Sequence, residues 1–313
     1  MRAPPLRVPA AIMLFRNLRF FEFTGKQRPR SARLTEQLAA AAYVPCRPQQ
    51  ASSVGWVVPD GSDDGNLVLE VGEAQLCCLL VEQRNVPAAV VREEVQRRAR
   101  ERQAKSGGRA PGRKELAELR DIVTADLRPR VFSRIRRQPL LLDATAGLVL
   151  TSAVSAAAAE VLFDATRTAL GSLPFRLPVT GKPVPHTMTR WLRGGRLPKP
   201  FALGTTAVMR DPRNRQRVIR VRGADDLAVE VAVHLDSGYE VSELELVWAD
   251  RLRFRLAEDM ALKGITFLED EDTTPADTES DAATEFAAAA LVESSALVLL
   301  VTQLQAALGV QQA

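Results

Sequence analysis

Residues 239–257 constrain the fold more than any other segment, because they contain two apolar strand patterns separated only by a tight turn. Residues 239–248 and 252–257 flank Ala249 and Asp250. A connection this short joins antiparallel neighbours in a sheet. Two further pairs repeat the arrangement, 67–71 with 75–82 and 131–143 with 147–152. The sequence therefore predicts antiparallel sheets.

Three other segments have the apolar spacing of helices. Residues 31–42 begin at Ser31, which we expect to cap the helix. Ala156–Leu170 is rich in alanine and is followed by Gly171. Ala282–Leu308 is predicted to be a long helix with Leu291, Leu297, Leu300 and Leu304 on its buried side. Sheets and helices together predict a mixed α+β subunit, and 313 residues suffice for two or three packed subdomains.

Residues 87–105 and 113–127 predict two helices joined by a turn that contains Gly107 and Gly108. The first of them has only a thin apolar stripe, made by Val90, Val91 and Val95. A helix with so little apolar surface is poorly suited to a core. We therefore expect this pair to project from the body of the subunit.

These patterns divide the chain into segments. Met13 opens the first strand-like segment, and the twelve residues before it contain three prolines and no apolar core of a signal peptide. The predicted division is a disordered extension (1–12), a central α/β region in two parts (13–86 and 130–180), a projecting helical tip (87–129), a base α/β region (181–268), an acidic linker (269–281) and a C-terminal helix (282–313).

Charge is distributed unevenly along the chain. Residues 84–137 contain 16 Lys and Arg against 7 Asp and Glu, and residues 190–222 contain 10 against 1. After Lys263 there are 9 acidic residues and no basic one. Two basic blocks and an acidic tail favour a polyanionic partner. A module that binds an acidic protein, or basic helix faces that only contact solvent, remain alternatives.

Several kinds of chemistry have no matching motif. His186 and His234 are isolated from each other and from cysteine, which argues against a zinc site. No glycine-rich phosphate loop or nucleophile elbow occurs, so no metal, cofactor or catalytic residue is predicted. The three cysteines are interpreted as core residues in a reducing cytoplasm, and no apolar run is long enough to suggest a membrane protein.

A metal-dependent nuclease is the enzymatic alternative. Pro59-Asp60 followed by Glu82-Gln83-Arg84 resembles the carboxylates and lysine that many nucleases use. Arg84 stands where the lysine would be, and arginine does not release its proton near neutral pH. The competing interpretation is a polar turn at Asp60 and a solvated strand end at Glu82.

Ordered motifs along most of the chain resemble one known family. They are Met13-Leu14-Phe15 with Asn17-Leu18, Tyr43-x-Pro45-Cys46, Gly55-Trp56-x-x-Pro59, Pro129-Arg130-Val131-Phe132-Ser133-Arg134, Leu170-Gly171-Ser172-Leu173-Pro174, Thr189-x-Trp191 and Val218-Ile219-Arg220. Their order and spacing are similar to the recombination-associated protein RdgC family. Each motif is weak alone, but their ordered spacing is specific, and the resemblance covers nearly everything from Met13 to about residue 308.

The resemblance implies a function that composition does not show. It implies a subunit that forms a ring-shaped homodimer around double-stranded DNA, without sequence preference or enzymatic activity. It also implies a nucleoid-associated protein of the cytoplasm that restrains RecA in recombination and replication-fork repair. The residues expected to contact DNA are Arg97, Arg109, Arg113, Arg128, Arg130, Phe132, Arg134, Arg217, Arg220 and Arg222.

Overall fold

The computed structural model describes residues 13–62, 65–194, 197–268 and 281–311. The strands in these ranges are β1 (Asn17–Phe23), β2 (Ser52–Val57), β3 (Leu69–Val71), β4 (Ala74–Gln83), β5 (Arg134–Asp143), β6 (Leu148–Thr151), β7 (Phe175–Arg176), β8 (Phe201–Asp211), β9 (Asn214–Val221), β10 (Glu240–Trp248), β11 (Leu252–Ala257) and β12 (Leu262–Phe267). The helices are α1 (Ser31–Ala39), α2 (Ala88–Lys105), α3 (Arg113–Leu127), α4 (Ala156–Leu170), α5 (Val184–Gly194), α6 (Leu227–Asp236) and α7 (Ala282–Leu308), and a 3-10 turn covers Arg128–Arg130.

The strands form one hydrogen-bonded sheet in two halves. Its order is β2-β4-β5-β6-β1-β12-β11-β10-β8-β9, and β3 and β7 pair with β4 and β1. The strand pairs of this path are antiparallel, as the short turns predict. Among the described strands, the two halves pair where Asn17 lies opposite Lys263 and Leu18 opposite Leu262. The α+β class with antiparallel sheets is therefore confirmed.

Apolar side chains gather in three clusters. The largest combines residues of both half-sheets with α5, α6 and α7, so that Phe15, Leu141, Leu244 and Leu300 belong to one core. A second cluster lies under α1 and α4 and includes Trp56. The two large clusters hold the extended sheet in place, because each sheet face that they cover is removed from water.

Helices α2 and α3 pack against each other around a third, small cluster. Its buried members are Val91, Leu119 and Val123. Val91 is the one buried residue of α2, which agrees with the thin apolar stripe predicted for that helix. Gly107 and Gly108 both have positive φ in the turn between the helices, and glycine adopts this conformation without strain. This helical hairpin has a core of its own.

Some local predictions are confirmed and others are wrong. Helices α4 and α7 have the predicted bounds, and Gly171 ends α4 in the left-handed conformation. Ser31 does not cap α1. Arg30 takes the cap position without a side-chain bond, while the Ser31 hydroxyl bonds the Glu70 carboxylate instead. Leu291 is 42% exposed, not buried, because it lies on the outer side of α7.

Helix α7 is long and apolar enough to cross a membrane by length and composition alone. Half of the residues in its apolar window are buried inside the subunit. Leu297, Leu300 and Leu304 belong to the largest core cluster. These contacts account for its apolar character as a core helix. The predicted extension (1–12) and all but the last residue of the predicted linker (269–281) lie outside the described residues.

Candidate nucleic-acid interface

The start of β5 carries a row of free arginines. Arg130, Arg134 and Arg136 are exposed, and none forms an ion pair with a described residue. Phe132, between the first two, is 99% exposed. Arg128 differs, because it is partly buried and one guanidinium nitrogen donates to the Gln49 carbonyl oxygen at 3.1 Å. We call Arg130, Phe132, Arg134 and Arg136 the β5 arginine row.

A buried carboxylate fixes the segment that leads into this row. Glu82 on β4 accepts hydrogen bonds from the Ser133 hydroxyl, from the Tyr43 hydroxyl at 2.5 Å and from the Cys46 backbone N–H at 2.7 Å. Arg84 Nε donates to the Ser133 hydroxyl at 3.0 Å. The donors, Ser133 first, hold the pKa of Glu82 at about 2, so its charge persists at neutral pH. The bonds hold Ser133 against β4 and leave the neighbouring Phe132 in solvent.

This network was missed by sequence reasoning, which interpreted Glu82 as a nuclease carboxylate or a solvated strand end. Glu82 is 4% exposed, so the solvated interpretation is wrong. No sequence signal could place Tyr43, Cys46 and Ser133 around one carboxylate, because the first two precede β2 and Ser133 precedes β5, and the β2–β4–β5 pairing brings these segments together.

The arginines of the helical hairpin are of two kinds. Arg97 forms ion pairs with Glu94 at 2.6 Å and Glu101 at 2.5 Å, so both ends of its guanidinium are occupied. These bonds, led by that of Arg97, lower the pKa of Glu94 to about 2. Arg109 and Arg113 are exposed near the turn of the hairpin and have no ion pair with a described residue. Phosphate would therefore meet free charges at Arg109 and Arg113 but would compete with carboxylates at Arg97.

The second basic block lies far from the β5 arginine row. Arg217, Arg220 and Arg222 belong to β9 or follow it, and all are exposed. Arg217 is 3.7 Å from Asp211, whereas the other two have no ion pair with a described residue. Strands β5 and β9 are seven steps apart in the sheet, which is roughly 34 Å measured along the sheet at the usual strand spacing of about 4.8 Å. Strand pairing within one subunit does not bring the two blocks together.

The two carboxylates of the nuclease alternative are separated. Glu82 pairs with Ser53 at one end of β2, while Val57 pairs with Cys78 at the other end. Asp60 lies beyond Val57 and accepts a bond from the Ser62 N–H at 2.8 Å. Four strand residues alone span about 13 Å, too far for two ligands of one ion. Across the described ranges, no group of three or more His, Cys, Asp or Glu side chains is arranged to hold a metal ion.

Comparison with known proteins identifies the family. A family model described as "RdgC: Putative exonuclease, RdgC" matches residues 13–311. The chain belongs to the RdgC family. Three relatives are each called "Recombination-associated protein RdgC". That of Laribacter hongkongensis (strain HLHK9) is 35% identical over 297 residues, covering 95% of this chain and 98% of its own. That of Dechloromonas aromatica (strain RCB) is 35% identical over 260 residues, covering 82% of this chain and 84% of its own. That of Yersinia enterocolitica serotype O:8 / biotype 1B (strain NCTC 13174 / 8081) is 32% identical over 301 residues, covering 95% and 98%.

The resemblance found in the sequence is thus confirmed, and it makes the chain a recombination-associated RdgC-family protein. The structure also explains two of the RdgC-like motifs. Gly171 in Leu170-Gly171-Ser172-Leu173-Pro174 is the left-handed residue that ends α4. Ser133 in the Pro129–Arg134 motif is the hydroxyl that bonds Glu82. Both motifs have local structural roles.

Proposed function

We propose that the protein binds double-stranded DNA without sequence preference. The observation that carries this proposal is the β5 arginine row, in which three exposed guanidinium groups lack a carboxylate partner among the described residues. An arginine without a partner contacts a phosphate without first losing an ion pair. Arg109 and Arg113 add two exposed arginines without an ion pair to a described residue, near the turn of the helical hairpin.

A phosphate-directed mode suits the chemistry of the surface. The three tryptophans, Trp56, Trp191 and Trp248, are at most 3% exposed, so the β5 arginine row has one exposed aromatic ring, Phe132, and not a series of rings on which successive bases stack. Phosphate contacts carry no direct information on base sequence, whereas stacking platforms favour single strands. The arrangement therefore favours duplex backbone binding over the recognition of a single strand.

The protein acts, in this proposal, as a homodimer that encircles the duplex. Two separated basic blocks motivate the second subunit, because a dimer supplies two copies of each block to one DNA molecule. A closed ring on duplex DNA would obstruct RecA-driven strand exchange. It would modulate recombination and fork repair in this way and would reside with the nucleoid in the cytoplasm. The names of the relatives, which associate them with recombination, support this proposal.

The test is duplex binding by the full chain as salt is varied. If ~4–8 phosphates are neutralised, the logarithm of the affinity falls against the logarithm of salt with a slope of about −4 to −7. Random duplexes of equal length bind within about tenfold of one another. A flat salt response contradicts the proposal. Light scattering for mass, and retention of closed-circular against linear duplex, test the ring.

Exonuclease activity is the second candidate, because the description of the family model names it. We propose instead that the protein acts without turnover, which the separation of Asp60 from Glu82 supports. Prolonged incubation of linear duplex with Mg²⁺ or Mn²⁺ leaves its ends intact under this proposal. Shortening that is lost in Glu82→Gln or Asp60→Asn establishes the nuclease.

A partner protein with an acidic surface is the remaining alternative. Such a partner would use the same free arginines, so competition separates the two proposals. Random duplex at micromolar concentration displaces an acidic protein that shares the surface, whereas it leaves a separate protein site occupied.

A further inference from the structure

A cavity of about 560 Å³ lies in the β8–β12 half of the subunit, away from the β5 arginine row. Its walls are one face of α5 and the turn that leads from α6 into β10. The volume is within the range of about 300–1,000 Å³ that is typical of small-molecule sites. The residues that matter for its chemistry are His186, Arg190, Arg193, Gly238, Tyr239 and Glu240.

Helical spacing explains why the cationic wall exists. His186, Arg190 and Arg193 occur at positions i, i+4 and i+7 of α5, so they share one face of the helix. The opposite face is buried through Val184, Met188, Trp191 and Leu192. Core packing of this apolar face aims the polar face at the cavity.

The two arginines of this wall, Arg190 and Arg193, differ in their hydrogen bonding. A guanidinium nitrogen of Arg193 donates to the Leu235 carbonyl oxygen near the end of α6, which fixes the side chain at the rim. Arg190 is exposed and has neither an ion pair nor a hydrogen bond with a described side chain or carbonyl. One cation is thus held in place and the other is free to bind. A phosphate group accepts from both kinds of donor.

The facing wall supplies groups that suit the rest of a nucleotide. Tyr239 is partly exposed there and can lie against a base. The exposed Glu240 carboxylate accepts from sugar hydroxyls or base amino groups. Gly238 has a φ of +90°, and a side chain built on it would meet nothing within 4 Å, so the approach is open. Glu240 also makes the wall less favourable for an isolated phosphate ion.

We propose that this cavity is a nucleotide-phosphate site, in which Arg190 and Arg193 bind the phosphate and Tyr239 and Glu240 contact the nucleoside. The ligand is either a free mononucleotide or one nucleotide of a DNA strand, which present the same phosphate and base. This site does not depend on the β5 arginine row and goes beyond duplex binding.

The experiment titrates the full-length protein with AMP by calorimetry. We expect Arg190→Ala to weaken AMP binding by about tenfold, the effect of losing one charged hydrogen-bonding partner. Arg190→Lys should restore part of the affinity because it restores the charge. Arg33→Ala, which removes an exposed arginine from α1, is the matched control and should leave AMP binding unchanged.

Competition with random duplex identifies the source of the nucleotide. Displacement of AMP assigns the site to a DNA strand, and continued AMP binding on saturating duplex assigns it to a free nucleotide. The proposal is overturned if AMP and duplex each bind wild type and Arg190→Ala equally, or if wild type binds neither at this cavity. Failure of the wild-type protein to bind AMP, together with an intact, salt-dependent duplex affinity, would refute this site and leave the DNA proposal standing.

Discussion

The hydroxyl group of Ser133 donates a hydrogen bond to the buried carboxylate of Glu82, and this bond joins the segment before β5 to strand β4. Ser133 directly follows Phe132, which is almost fully exposed. A buried charge therefore holds the base of a segment whose apolar side chain points into solvent. Stability and DNA binding should respond separately to changes at these two neighbouring positions.

Ser133→Ala should destabilise the protein by about 1–3 kcal/mol, because it removes one donor to a buried charge and the acceptor of Arg84. Urea unfolding measures this loss. Ser295→Ala is the control, since its exposed hydroxyl bonds only the carbonyl of Leu291 on its own helix. Equal stability of the two variants would show that the Glu82 network contributes nothing.

Glu82 should also make the protein sensitive to acid. Its pKa is lowered to about 2 from the ordinary 4.5, first by the bond from Ser133 and then by that from Tyr43. A lowered pKa in the folded state stabilises the protein above pH 4.5, and this stabilisation is lost as the pH falls towards 2. Unfolding at several pH values should show a steeper acid loss for wild type than for Glu82→Gln. Parallel pH profiles for the two proteins would contradict this.

Glu293 should give the stability of the protein the opposite dependence on pH. Both of its carboxylate oxygens accept backbone N–H bonds at 2.8 Å, from Leu14 and Phe15, and burial raises its pKa to about 7. A raised pKa in the folded state means that stability present below pH 4.5 is lost as the pH rises through 7. Glu293→Gln should flatten the thermal stability between pH 5 and 8. Glu285→Gln, an exposed change on the same helix, should keep the wild-type slope.

Reversal of charge in the β5 arginine row should weaken duplex binding without unfolding the protein. Arg130→Glu with Arg134→Glu is expected to reduce affinity at low salt by at least about tenfold and to make the salt slope shallower by roughly 2 per bound subunit. The matched double variant, Arg33→Glu with Arg167→Glu, changes as much charge on exposed helix faces elsewhere. Gel shift at several salt concentrations compares them, and equal affinities would refute the assignment of this row.

Phe132→Ala should leave the free energy of unfolding within about 0.5 kcal/mol, since the ring is 99% exposed and makes no core contact. The apolar ring should instead contribute to DNA retention or to the contact between subunits. Light scattering and retention on closed-circular duplex distinguish these two roles. If the variant has the wild-type oligomeric mass and is retained on closed-circular duplex like wild type, Phe132 contributes neither to DNA retention nor to the contact between subunits.

Local signals predicted some elements well because each carried its own start and stop. Helix α4 is bounded by Ser155, which accepts from the Ala158 N–H, and by Gly171. Helix α7 is bounded in the same way by Asp281 and Gly309. The first residues of β8 carry no such signal, because residues 193–204 contain the prolines and glycines of a loop and the strand forms there by pairing with β10. Local propensity cannot supply a partner that is more than 40 residues away.

The candidate interface was predicted less completely than the fold. The arginines themselves are visible in the sequence, but their availability is not. Nothing in the sequence distinguishes Arg97 from Arg130. In the structure, Arg97 forms ion pairs with two carboxylates, whereas Arg130 forms none with a described residue. Likewise, the separation of Arg220 from Arg130 follows from strand order and not from distance along the chain.

The seam at Asn17 and Leu18 has a consequence for how the chain folds. Every other neighbour in the first half-sheet comes from residues before 177, whereas the partners of this seam, Leu262 and Lys263, lie on β12, which follows all the other described strands along the chain. Contacts between such distant residues form slowly, and long chains fold in parts during synthesis. We expect the first half-sheet to assemble early, with the edge of β1 unpaired until β12 is in place. Closure of that edge, and with it the shared core under α7, is then expected to follow the assembly of the first half-sheet.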